Sequence, residues 1–384
     1  MKKTERLIYL DYNASAPIAP ECAEAVTSCL ELAAGNPSSK HRAGERAKEL
    51  IDQARGQVAQ LLNAQPAQIV FTSGGTESNH MAILGAMALA AGKQHVITSA
   101  VEHPSTLALL KLLETRGARI SYLPVKATGQ LDAEQVAAAI GDDTAMVSLL
   151  WANNETGVVS PMAEIAAICR SKNVLLHCDA VQAVGKVPVD VMRVPVDFLS
   201  LSGHKLHAPP GIGALYVRKG IKLPPLLLGH QERGRRGGTE NVLGIAALAV
   251  ACLLATDAVS EGLSRITNLR DRLERGIRAI APFGHVNGAG AVRVGNTTNV
   301  CFAGLDGEAL VLKLDRAGVC VSQGAACSAG GTEASHVLTA MGLSEQEAMS
   351  SIRFSLGRFT RTDDIDRTLT LLSTVIASLR GHAA

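Results

Sequence analysis

Lys205 follows directly on an apolar run, Phe198-Leu199-Ser200-Leu201, and on the small polar residues Ser202, Gly203 and His204. A lysine held at a strand end suits covalent capture of an aldehyde, because its amine can form a Schiff base. The hydroxyl of Ser202 and the imidazole of His204 can hold a phosphate beside it. A surface lysine in a turn would look the same locally, so the rest of the chain has to separate the two readings. Asp179 ends another apolar run, as Asp179-Ala180-Val181-Gln182. A cofactor with an aldehyde, a pyridine nitrogen and a phosphate needs a carboxylate to keep that nitrogen protonated and the ring electron-poor. Asp179 fits that need, and Gln182 lies close enough to reach a ring substituent such as a phenolic oxygen. His103, in Glu102-His103-Pro104-Ser105, can stack on a ring and move protons, or serve structure alone.

A second centre lies far downstream. Cys327 sits in Gln323-Gly324-Ala325-Ala326-Cys327-Ser328-Ala329-Gly330-Gly331, a segment of small residues with no apolar period. Such a segment reads as mobile and exposed, and an exposed thiol is a liability unless it is used. Its nucleophilicity would depend on thiolate formation. The other cysteines are at 22, 29, 169, 178, 252, 301 and 320, and none forms Cys-x-x-Cys. They read as small buried hydrophobes in a reducing compartment, not as a disulfide scaffold or zinc ribbon. Arg353 stands between Ile352 and Phe354, so it is partly buried and needs a carboxylate. A substrate carboxylate and a structural ion pair both satisfy that need. The loop from Gly229 to Asn241 is rich in glycine and arginine. It suits a phosphate, a subunit contact or an exposed charged loop.

These residues need elements to place them. Ile69-Val70-Phe71-Thr72 reads as a strand, and Ser73-Gly74-Gly75-Thr76-Glu77-Ser78-Asn79 as a loop leading to a helix over Met81–Ala91. Strand, glycine loop and helix together expose backbone N–H groups to an anion. The spacing matches neither the dinucleotide fingerprint nor the P-loop. Strands at His95–Ser99, Arg119–Leu123, Ala145–Leu150, Val174–Cys178 and Phe198–Leu201 alternate with helical stretches. Repeated βα units predict an α/β fold with a mostly parallel central sheet flanked by helices. Ligands on such sheets sit beyond the strand C-termini. Gly75, Thr76, His103, Asn154, Asp179 and Lys205 all lie at or just after those ends. A single helical stretch is predicted from about 243 to 279, then shorter strands and helices of a smaller α+β domain. The predicted large domain is 14–255. The small one is 1–13 with 256–384 and carries the cysteine loop at about 322–333.

The 384-residue chain is 47% hydrophobic and 19% charged, which supports a large core and argues against disorder. A net charge of +2 and 3% aromatic residues disfavour direct nucleic-acid binding. No uncharged apolar stretch reaches the ~20 residues of a membrane span, and Leu243–Thr256 reads as a buried helix. A soluble, cytoplasmic protein is expected.

Taken together, the motifs resemble the NifS/IscS-type cysteine desulfurases, enzymes of the class V aminotransferase family with the pyridoxal-phosphate fold type I. The resemblance rests on Tyr9-Leu10-Asp11, Gly35-Asn36-Pro37-Ser38-Ser39, Thr72–Asn79, Glu102-His103-Pro104, Asn153-Asn154-Glu155 and Asp179–Gln182. It continues through Ser202–Lys205, Gly237–Asn241, Ala326-Cys327-Ser328, Ser335-His336-Val337-Leu338 and Ile352–Arg358, and so spans almost the whole chain. It implies pyridoxal 5'-phosphate as cofactor, attached through Lys205. It implies that His103 stacks on the ring and transfers protons, that Asp179 pairs with the pyridine nitrogen and that Gln182 reaches the phenolic oxygen. Gly75, Thr76, Ser202 and His204 would surround the phosphate, with Thr239 reaching in from the partner subunit of a homodimer. Asn154 and Arg353 would orient the carboxylate of L-cysteine. Cys327 would take the sulfur as a persulfide and pass it to an acceptor protein. Iron–sulfur cluster assembly, tRNA thiolation and DNA sulfur modification are all open destinations. The chain departs from the family pattern at Tyr12-Asn13-Ala14-Ser15-Ala16, at Ser322–Cys327 and at Pro210, where lysine is usual. A selenocysteine lyase-like or other β-eliminating enzyme is the alternative, and a non-catalytic cofactor-binding scaffold the alternative outside enzymes.

Overall fold

The computed structural model describes residues 6–32, 35–90, 92–261, 263–323 and 333–381. Among these residues the chain runs β1 (Ile8–Tyr9), α1 (Pro20–Leu32), α2 (Arg42–Leu61), β2 (Ile69–Thr72), α3 (Gly75–Leu89), β3 (His95–Ser99) and α4 (Pro104–Thr115). Then come β4 (Arg119–Leu123), α5 (Ala133–Ala139), β5 (Thr144–Leu150), α6 (Met162–Ser171), β6 (Leu175–Asp179), β7 (Phe198–Ser202) and β8 (Gly213–Val217). A short turn of helix, α7 (Gln231–Gly234), precedes α8 (Val242–Ser260) and α9 (Ser264–Ile280). The remainder is β9 (His285–Asn287), β10 (Thr297–Cys301), α10 (Gly307–Arg316), β11 (Val319–Cys320), α11 (His336–Ala340), α12 (Glu345–Met349), β12 (Ser351–Ser355) and α13 (Thr362–Gly381).

Seven strands form one sheet in the order β2-β8-β7-β6-β5-β3-β4. All run parallel except β8, which is antiparallel to both of its neighbours. Both faces are apolar, as a sheet covered by helices on each side requires. Along β8, Ala214 and Tyr216 point into the cluster that holds α1, α2, α6 and α8. Leu215 and Val217 point into the opposite cluster, with Met81, Ile83 and Ala86 of α3 and Leu109, Leu110 and Leu113 of α4. A third cluster joins Ile8 and Leu10 to α9, α10, α13 and the strands β10 and β12. Here β12-β10-β9 form an antiparallel sheet, and β1 pairs in parallel with β11.

Two expectations shift. The helical stretch from 243 to 279 is two helices, α8 and α9, and Leu263 at the start of α9 has φ 52°. The helix after the glycine loop begins at Gly75, not Met81, so its first turn lies next to the end of β2. α8 is long and apolar enough to cross a membrane, yet Ala247, Leu248, Ala251, Cys252 and Ala255 lie in the core beside α1 and α2.

Candidate active site

Four parallel strands end at one place. β2 delivers the start of α3, β3 delivers Glu102 and His103, β6 ends on Asp179, and β7 leads into the helical turn Gly203–Lys205. The α3 N-terminus comes close to β7 because Gly75 has no side chain. A Cβ there would lie 2.8 Å from Val181 Cγ2 and 3.6 Å from Ser202 Cβ. Gly213 does the same for β8, where a Cβ would lie 2.7 Å from Gly74 Cα. The first turn of α3, whose N–H groups a helix leaves without intrahelical partners, therefore lies beside buried Ser202, an arrangement that suits an anion. Glu77 in that turn would oppose an anion, but Arg236 pairs with it at 2.8 Å. Thr76 is exposed in the same turn. His204 Nδ1 lies 3.3 Å from Ser15 Oγ, and burial together with Lys205 pushes its pKa down to about 4.

Asp179 is buried and accepts from Asn79 Nδ2 at 2.6 Å and from the Val181 N–H at 3.0 Å. Among the described residues no cation forms an ion pair with it. Burial raises its pKa, while His103, the Asn79 hydrogen bond and Lys205 act the other way. Such a carboxylate fits a cationic N–H donor such as a protonated pyridine. His103 Nδ1 accepts from the Ser105 N–H at 3.2 Å, which leaves the proton of the neutral ring at Nε2. Burial lowers the His103 pKa, opposed by Asp179 and reinforced by Lys205 and His336. Beneath it, Glu102 Oε1 accepts from Ser99 Oγ and from the Leu150 N–H, and burial pushes its carboxyl up to about 8.

The Lys205 amine donates to the backbone carbonyls of Asn13 and Ala14, each at 2.6 Å. Gln182 is buried nearby, with Nε2 on Asn13 O at 3.0 Å and Oε1 against Lys186 Nζ. Lys205, Asp179, His103, Ser202, Gln182 and the start of α3 thus share one region, and these groups fit pyridoxal phosphate.

Arg353 is 2% exposed. It donates to Asp11 Oδ1 at 2.7 Å and to Asn154 O at 3.2 Å, while its Nε has no partner among the described residues. The structural ion pair left open by the sequence is therefore present, and one donor is left over. Thr239 is exposed on the loop that carries Arg236, and no hydrogen bond joins it to the Lys205 region among the described residues. Cys327 lies outside the described residues. The flanking described residues reach the site from both sides. Ser322 bridges Arg353 through backbone hydrogen bonds, Ser335 Oγ donates to Glu155 Oε2 at 2.6 Å, and His336 Nε2 lies 2.9 Å from Glu102 O. Cys22, Cys29, Cys169, Cys178, Cys252 and Cys301 are buried, as expected of structural thiols, whereas Cys320 is only half-buried.

Asn13 and Lys186 are the site residues that sequence reasoning missed. Asn13 reads only as part of a polar turn. The available signal for Lys186 was its place one helical turn after Gln182.

The family Aminotransferase class-V matches residues 8–368. The chain is 47% identical to cysteine desulfurase 2 of Trichormus variabilis over 375 residues, covering 97% of this chain and 94% of that protein. It is similar to a solved NifS-like protein, with a TM-score of 0.90, 33% identity and coverage of 97% of this chain and 100% of that one. It is also similar to SspA solved in complex with cysteine, with a TM-score of 0.80, 38% identity and coverage of 91% and 98%.

Proposed function

The chain belongs to the class-V aminotransferase family, and on that premise we propose that it is a pyridoxal-phosphate-dependent cysteine desulfurase. The substrate is L-cysteine, and the sulfur passes through Cys327. The observation that carries this reading is the meeting of Lys205, Asp179, His103 and the α3 N-terminus at the ends of parallel strands.

When bound, pyridoxal phosphate supplies an electron sink that loosens bonds at the substrate's α- and β-carbons. Lys205 holds its aldehyde carbon, and Asp179 keeps its ring nitrogen protonated. The N–H groups at Gly75 and Thr76, with Ser202 and His204, hold its phosphate, and Thr239 of a second subunit completes that cradle. Arg353 and Asn154 orient the cysteine carboxylate, using the donor that Asp11 leaves unused. His103 moves a proton through Nε2. The Cys327 thiolate attacks the cysteine sulfur. The Cβ–S bond breaks, an S–S bond forms, and the net change converts a thiol and L-cysteine into a persulfide and L-alanine.

We read residues 14–255 as the cofactor-binding domain, and 1–13 with 256–384 as the small domain. The persulfide is handed, in the cytoplasm, to an acceptor protein serving iron–sulfur assembly, tRNA thiolation or DNA sulfur modification. A pull-down with the persulfide-loaded enzyme separates these destinations.

Alanine release from cysteine is expected to fall by at least on the order of 10²-fold in Cys327→Ser, with no persulfide detected. Desulfuration at the normal rate would rule out Cys327 as the sulfur carrier and favour a β-eliminating lyase. Lys205→Ala is expected to lose the visible absorbance of lysine-bound cofactor. Persistence of that band would remove Lys205 from its role.

A further inference from the structure

Asn13 uses all of its polar atoms, and its partners are spread along the chain from Asn154 to Ser355. Its N–H donates to Ser355 Oγ at 3.0 Å. Its side-chain amide donates to Asn154 O at 3.0 Å and to Thr297 Oγ1 at 2.8 Å. Its side-chain oxygen accepts from Asn296 Nδ2 at 3.1 Å and from Lys186 Nζ at 2.9 Å. Its backbone carbonyl accepts from Gln182 Nε2 and Lys205 Nζ, at 3.0 and 2.6 Å. The residue is 2% exposed.

A carbonyl oxygen only accepts hydrogen bonds, so the Gln182 atom on Asn13 O is the amide nitrogen. The other end of that amide, Oε1, takes a hydrogen bond from Lys186 Nζ. Turning the Gln182 amide over would set oxygen against the Asn13 carbonyl and an NH2 group against the lysine. The first contact is repulsive, and the second forfeits the hydrogen bond that Lys186 donates, so the orientation is favoured from two sides. The Gln182 N–H and the Lys205 amine converge on the same acceptor, and so face the same space.

We propose that Lys186 is a positioning residue which, with Asn13, locks Gln182 so that an N–H and never its oxygen faces the cofactor ring. This rests on the reading of Lys205 and Gln182 as cofactor-binding residues given above. Lysine is an unfavourable choice for mere filling here. Burial, with Lys205 and Arg353 close by, pushes its pKa well below the ordinary value. An apolar residue would occupy the space without that cost. A donor aimed at the phenolic oxygen stabilises its anionic form, so losing the donor makes the bound cofactor hold its proton to higher pH.

The test is a pH titration of the visible band of the cofactor-loaded protein, with the melting temperature of the apoprotein measured alongside. Lys186→Met is expected to raise the midpoint by about one pH unit. Gln182→Leu is expected to raise it by a similar amount, and the double variant to show no further shift. Lys186→Arg, which keeps the donors, should titrate near the wild-type midpoint. A Lys186→Met midpoint equal to wild type, while Gln182→Leu is shifted, overturns the lock. An unshifted Gln182→Leu instead overturns the placement of Gln182 at the ring. A fall in melting temperature with no movement of the midpoint assigns Lys186 a structural role only and also overturns the proposal. If Lys186→Met is insoluble, Lys186→Ala is titrated with and without added propylamine. The amine should return a raised midpoint toward wild type, and a raised midpoint that the amine leaves in place overturns the proposal.

Discussion

At the scale of residues, two buried groups beside the site set opposite pH dependences. His177 on β6 lies between Ser148 Oγ at 2.8 Å and Ser200 Oγ at 2.9 Å, and burial pushes its pKa from 6.5 to about 3. The unfolded chain therefore binds a proton that the folded chain refuses. The stability His177 contributes is complete above about pH 6.5 and is lost as pH falls toward 3. Glu102, raised from 4.5 to about 8, has the opposite sign. The folded chain keeps a proton that the unfolded chain has released, so stability falls as pH rises from 4.5 to 8. Between pH 6.5 and 8 the Glu102 contribution stands apart from that of His177, with a slope approaching ~1.4 kcal/mol per pH unit. Urea unfolding of the apoprotein should therefore show stability declining across that interval, and Glu102→Gln should flatten the decline. His177→Asn should leave that interval unchanged and reduce the loss of stability below pH 4.5. Lys205, Asp179 and His103 were legible because each stands in a short local motif at the end of an apolar run. Asn13 was not, because its role depends on Asn296, Thr297 and Ser355, and no local pattern encodes contacts across such separations.

Elements are held in place by charge as well as by apolar packing. Arg55 of α2 makes two hydrogen bonds to Glu232, at 2.7 and 2.8 Å, and a third to Ile69 O on β2 at 2.9 Å. Glu232 also accepts from the Phe71 N–H at 2.9 Å. Glu232 and Arg233 have φ of 48° and 59°, a left-handed conformation that costs energy for residues with side chains. The ion pair thus pins the glycine- and arginine-rich loop to the edge of the sheet. Arg55→Met should destabilise the protein by about 3–5 kcal/mol, because it leaves Glu232 buried without a partner. Adding Glu232→Leu should recover most of that loss, and denaturant midpoints of the three variants check it. From sequence this loop was open between a phosphate site, a subunit contact and a charged surface. The structure turns Glu232 and Arg236 inward, where each has an opposite charge. Strands and the long helices were legible because their apolar periods are strong. The break between α8 and α9 was not, since helix-forming residues continue on both sides. The glycine at 262 was the local hint.

The molecule as a whole presents an apolar ridge at Leu226, Leu227 and Leu228, of which Leu228 is 87% exposed. The ridge leads directly into the loop that carries Thr239. We propose that it is the meeting face of a homodimer, which would place Thr239 at the second subunit's phosphate cradle. Light scattering should give the mass of two chains, and Leu228→Asp should shift it toward one. The same variant should weaken cofactor retention, whereas a mass of one chain for the unmodified protein would set the dimer aside. The α/β class followed from alternating strands and helices, and the parallel sheet meets it. The antiparallel insertion of β8 was not legible, because strand direction leaves no mark in an apolar run.

That insertion orders events during synthesis. Among the described residues β2 has its neighbouring strand only in β8, so residues 69–72 wait for residues 213–217 before they join the sheet. β1 waits longer, for residues 319–320. Asn13 finds its most distant partner at Ser355. The place where Lys205 rests is therefore finished only after residue 355 has left the ribosome. Capture of the cofactor then reports that folding has reached β12, and a nascent chain halted before it carries the reactive lysine without the surroundings that direct it.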